Sequence, residues 1–135
     1  MTFHLHERLS ADTYTIKDLP LCRLLLMDDS RFPWTILVPR RTELRDFHDV
    51  AAADKPDFHE EINRVSVALK KMTGAHKMNV AALGNMVPQL HVHVIARFEG
   101  DFCWPRPVWG EGTAVPYPPA EAGRLIESLK KALHG

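Results

Sequence analysis

The chain has 135 residues, 45% of them apolar, and its 17 basic and 17 acidic side chains cancel. That is the size and composition of one domain with its own core over 1–135, and without a net positive field neither nucleic acid nor an anionic membrane is recruited by bulk charge, so an anionic ligand needs a local site. Cys22 and Cys103 are too few for a disulfide framework, MTFHLHERLS has no apolar leader, and no apolar run approaches the ~18 residues of a membrane span, so a cytoplasmic protein without membrane contact is expected.

Residues 21–27 (LCRLLLM) and 34–38 (WTILV) read as two strands joined by a polar loop, the second ended by Pro39. Over 42–50, Leu44 and Phe47 with Thr42 as an N-cap predict a short helix. From Pro56, the residues Phe58, Ile62, Val65, Leu69 and Met72 form one apolar stripe of a longer helix. Asp57, Glu60 and Glu61 near its start and Lys70 and Lys71 near its end suit the macrodipole, and Gly74 is placed to stop it. Residues 77–83 and 89–97 then bracket GNMVP, which predicts an antiparallel hairpin. The stretch 101–119, with five prolines and two tryptophans, reads as irregular. From residue 120, Ala122, Leu125, Leu129 and Leu133 make the stripe of a C-terminal helix packed on the sheet. Neighbouring strand pairs separated by a helix predict an α+β fold with an antiparallel sheet.

The segment PQLHVHVIAR at 88–97 carries the chemistry. On a strand, Gln89, His91, His93 and Ile95 share one face, and Leu90, Val92, Val94 and Ala96 form the core face. Three readings are open. The histidines can be solvated strand residues, since His4-Leu5-His6 repeats the spacing without any functional setting. They can bind zinc, but this needs a third ligand such as Cys103 or His48 brought in by folding. Or one neutral imidazole can attack phosphorus while its neighbour donates to the non-bridging oxygens, with backbone N–H groups at Gly84 and Asn85 adding phosphate contacts.

The run 89–95 (QLHVHVI), preceded by the Asn- and Gly-containing hairpin and followed by Arg97 and Gly100-Asp101-Phe102, resembles the histidine triad superfamily, whose signature is His-x-His-x-His and two apolar residues. Upstream, Leu26-Met27-Asp28, Ile36-Leu37-Val38-Pro39 and Asp46-Phe47-His48-Asp49-Val50 stand in the family's order, so the resemblance spans about 14–102. It implies an α+β, histidine-triad-like fold: a five-stranded antiparallel sheet, one long and one short helix, then an aromatic- and Pro-rich loop and a C-terminal helix over 103–135. It implies a homodimer that hydrolyses or transfers nucleoside monophosphates through a nucleotidyl-histidine; no metal or other cofactor is expected. By the same resemblance His91 is the nucleophile, His93 contacts the phosphate, Asp28 binds the ribose with Asp29 as the alternative register, and Asn79 contacts phosphate.

Gln89 departs from the family's first histidine. An amide can hold a phosphate oxygen but cannot relay a proton, so the expected catalytic set is His91, His93 and Gln89, with slow turnover of poor leaving groups. The alternatives are a nucleotide-binding regulatory module with little turnover and a metal protein built on His91 and His93. His48 near a base, Trp104 or Trp109 stacking, and Arg97 steering the phosphates are each weighed against capping, loop packing and a solvated strand end.

Overall fold

In the computed structural model, which describes residues 2–134, a short helix α1 (Glu7–Asp12) leads into strands β1 (Thr13–Asp18), β2 (Cys22–Met27) and β3 (Trp34–Pro39). Two 3-10 turns precede α2 (Lys55–Thr73), followed by β4 (Lys77–Ala81), β5 (Val92–Arg97) and α3 (Pro119–His134). The five strands pair antiparallel in the order β1-β2-β3-β5-β4. This is the five-stranded α+β architecture expected of the resemblance.

Strand alternation splits the core into two layers. Leu24, Leu26, Leu37, Val92 and Val94 point to the side covered by α2 and α3, where they meet Phe58, Val65, Leu129 and Leu133. Leu25, Trp34, Ile36, Val38 and Ile95 point the other way, under Leu9 of α1 and Phe32, Cys103 and Val108 of the loops. Because His93 opposes Ile36 in the β3–β5 ladder, it belongs to this second face, away from the long helices.

The stripe of α2 is buried at Phe58, Val65 and Leu69, and Gly74 closes the helix in the left-handed region at φ 70°, its N–H donating to Lys70 O at 2.9 Å. Ala122, Leu129 and Leu133 likewise form the buried face of α3. Three local expectations change. The predicted helix over 42–50 is a 3-10 turn at Phe47–Asp49, anchored by Asp49 Oδ2 accepting from Asp46 N–H and Arg45 N–H rather than by a Thr42 cap. Glu61, read as a macrodipole partner, is buried, and its carboxylate accepts from Leu21 N–H at 2.8 Å and Cys22 N–H at 2.7 Å. The turn between β1 and β2 leaves these donors without ladder partners, and a buried carboxylate satisfies both. Finally, the last strand begins at Val92, so Gln89, Leu90 and His91 lie ahead of the ladder, with Leu90 N–H donating to Leu44 O.

Candidate active site

His93 stands near the start of β5, between β3 and β4, 5% exposed, with its ring fixed by neighbours. Trp34 Nε1–H donates to His93 Nδ1 at 3.0 Å, and the Trp34 and Trp109 rings lie 5.7 and 5.1 Å from it, centroid to centroid. A ring nitrogen that accepts carries no proton, so neutral His93 holds its hydrogen on Nε2. Burial, helped by repulsion from His91, pushes its pKa down to about 3. His93 is therefore a neutral hydrogen-bond donor.

His91 takes the opposite tautomer. Its Nδ1 lies 2.7 Å from Gln89 O, and since a carbonyl only accepts, Nδ1 carries the hydrogen and Nε2 keeps its lone pair. Burial lowers its pKa, the bond to Gln89 O works against that, and the charge of His6 lowers it again. At pH 7 the ring is neutral and nucleophilic at Nε2. The two rings pack edge to face, centroids 5.0 Å apart, so a free lone pair and a fixed N–H donor open on the same cavity of about 600 Å³, with Met27, Ile36, Met86 and Val87 among its walls.

The depressed pKa of His93 has a consequence for stability. A group at about 3 when folded and near 6.5 when unfolded takes up protons preferentially in the unfolded chain between those values. Its stabilising share is present above pH 6.5 and is lost as pH falls through this window. Between pH 7 and pH 5 the loss from His93 is about 2 kcal/mol. Urea unfolding at both pH values should show a drop in wild type that is smaller by that amount in His93→Gln; equal drops in the two proteins would contradict it.

The other candidate residues are arranged differently from the sequence expectation. Gln89 does not turn its amide to a phosphate position. Its Oε1 accepts from His6 N–H at 2.8 Å and its Nε2 donates to His4 O at 2.9 Å, so both ends bind the segment ahead of α1. Asp28 is outside the cavity lining, because alternation at the end of β2 gives the cavity to Met27 and turns Asp28 to the other side, where Oδ1 accepts from Tyr117 N–H at 2.8 Å. Its alternative, Asp29, is buried against Arg31 at 2.9 Å. Asn79 shares the histidine face through its pairing with Ile95, but its Oδ1 accepts from Arg97 at 2.9 Å. Asn85 is exposed in the hairpin loop, beside the cavity-lining Met86 and Val87.

Arg97 is neither a phosphate-steering group nor a solvated strand end. It is 1% exposed and bound to Asp101, Asn79 Oδ1 and Arg106 O. Trp109 packs on His93 and Trp34, and Trp104 packs on His76 and under Arg97. His48 is exposed beside Asp46 and Asp49, which among the described residues is the one group with metal-ligand spacing; neither His91 nor His93 belongs to it. Sequence reasoning missed Trp34 and His6. Trp34 gave a signal, an indole placed in a buried strand where its N–H needs an acceptor. His6 gave only a repeat of the His-x-His spacing.

The HIT domain family model matches residues 8–100. Among solved structures, the chain is similar to a histidine triad protein from Bradyrhizobium japonicum, at 44% identity and TM-score 0.96, covering 98% of this chain and 99% of that one. A histidine triad (HIT) protein from Sinorhizobium meliloti is 48% identical at TM-score 0.96, covering 98% of both chains. A histidine triad protein from Marinobacter aquaeolei is 42% identical at TM-score 0.96, covering 99% of this chain and 98% of that one. Among curated proteins none matches.

Proposed function

The chain belongs to the HIT domain family, and from that premise we propose that it is a nucleotide hydrolase or nucleotidyl transferase working through a nucleotidyl-His91 intermediate. The observation that carries this reading is the complementary pair of tautomers: His91 with its Nε2 lone pair free, and His93 with Nε2–H to donate, on one cavity. His91 Nε2 attacks the α-phosphorus, the N–P bond forms as the bond to the leaving group breaks, and the leaving group departs with the electron pair. The charge that builds on the non-bridging oxygens meets the fixed donor of His93. The imidazolium left on His91 keeps its Nδ1–H on Gln89 O. Water then displaces His91 from phosphorus, its extra proton passing to solvent, and the neutral imidazole returns.

Nothing in this arrangement hands a proton to the leaving group. The Gln89 amide is occupied and cannot relay one, and His93 Nδ1 is filled by Trp34. Substrates whose leaving group departs as a stable anion are therefore favoured, which points to dinucleoside polyphosphates over nucleoside phosphoramidates. Chromatographic assays should show diadenosine tetraphosphate cleaved faster than adenosine phosphoramidate by ~10²–10⁴-fold, the usual worth of positioned acid catalysis. Equal or reversed rates would mean that a proton donor operates in the site.

The same occupied Gln89 supports one other reading, a regulatory module that binds nucleotide with little turnover. Intact AMP binding without product from either substrate selects it.

A further inference from the structure

The segment ahead of α1 repeats the His-x-His spacing as His4-Leu5-His6, and the fold gives that repeat a setting. Gln89 reaches across 83 and 85 positions of chain to bind the backbone of both histidines. This two-point clamp seats His6 in the wall of the cavity that His91 and His93 line. The ring is fixed as well as the backbone: His6 caps α1, its Nδ1 accepting from Arg8 N–H at 3.0 Å. An accepting Nδ1 leaves the hydrogen of the neutral ring on Nε2.

We propose that His6 is the third imidazole of the site: Gln89, in place of the family's first histidine, pins a histidine from a distant part of the chain, whose Nε2–H donates to a phosphoryl oxygen of the bound nucleotide. This rests on the nucleotidyl-transfer reading for the identity of the ligand. His6 moves no proton. Adding one at Nδ1 would set it against Arg8 N–H, so the ring acts as a second fixed donor beside His93, and the leaving group still departs as an anion. The arrangement separates two tasks: the residue at position 89 positions, and the residue at position 6 touches substrate.

His6→Asn tests this, because asparagine is among the best N-caps and can keep the bond to Arg8 N–H while removing the ring. With diadenosine tetraphosphate in single-turnover experiments, His6→Asn should slow adduct formation by ~10²-fold, the scale of one lost oxyanion donor. AMP affinity by calorimetry should fall by about tenfold for the lost bond to a charged phosphate, with thermal unfolding close to wild type. His6→Ala, which loses cap and ring together, should match His6→Asn in rate but unfold at a lower temperature. Wild-type rates and AMP affinity in His6→Asn would overturn the proposal and leave the covalent mechanism standing. If wild type forms no adduct, the mechanism fails instead, and the AMP titration still decides: weaker binding by His6→Asn supports the donor role, whereas equal binding, or none by wild type, overturns it.

Discussion

Substituting His91 by alanine is expected to lower hydrolysis of diadenosine tetraphosphate by roughly 10³-fold or more, because on the proposed mechanism the variant loses the nucleophile itself and not one of several supports. Of the two histidines at 91 and 93, only His91 has a free lone pair. His93 Nδ1 accepts from Trp34, and its Nε2 carries the hydrogen. His93 therefore cannot take over the attack while the Trp34 bond lasts. The variant keeps the cavity and the His93 donor, so AMP should still bind with affinity within about tenfold of wild type, the worth of one hydrogen bond. This split between retained binding and lost turnover is the signature of a nucleophile. Turnover by His91→Ala near the wild-type rate would mean that another group attacks phosphorus.

Replacing Arg97 by leucine is expected to destabilise the protein by about 3–5 kcal/mol, the cost of breaking a buried ion pair from one side. The Arg97 and Asp101 side chains are 1% and 5% exposed, with bonds of 2.8 and 3.1 Å between them. Burial works to raise the Asp101 pKa, but Arg97 and the N–H groups of Phe98 and Cys103 hold the carboxyl below its usual range. Without Arg97 that carboxylate stays buried with backbone donors alone. Arg97 also ties Asn79 on β4 to Arg106 O in the loop, so its loss loosens the stretch that carries Trp109 against His93. Urea unfolding measures the loss, and Arg97→Leu combined with Asp101→Asn should recover part of it by removing the stranded charge. A loss under about 1 kcal/mol for Arg97→Leu alone, the size typical of exposed pairs, would show that the pair is not a structural tie.

The parts of this fold that sequence discloses are those with a local period. The stripe of α2, the stop at Gly74 and the apolar runs of β2 and β3 are written within a few residues of one another. His91 and His93 were legible for the same reason, as a two-residue repeat next to an apolar strand. What escaped depends on contacts between distant residues. Glu61 reads as a macrodipole partner near the helix start because its actual partners, Leu21 and Cys22, lie 40 and 39 positions away. Gln89 looked like a phosphate ligand because nothing local reveals that His4 and His6 use up both ends of its amide. Arg97 ends a strand, where solvation is the ordinary outcome, yet the chain folds back through Asp101 and Arg106 to enclose it. Asp28 matched its family position in sequence, but alternation at the strand end delivers Met27 to the cavity instead.

A covalent nucleotidyl-His91 is the center of this reading, and intact-mass measurement addresses it without waiting for steady-state turnover. Wild type and His91→Ala are mixed with diadenosine tetraphosphate or adenosine phosphoramidate, quenched within the first turnover and weighed. An acid-labile adenylyl adduct on wild type that is missing from His91→Ala, and more abundant with the tetraphosphate, is the expected result. An adduct that survives in His91→Ala, or product released by wild type with no adduct at any quench time, would contradict the mechanism.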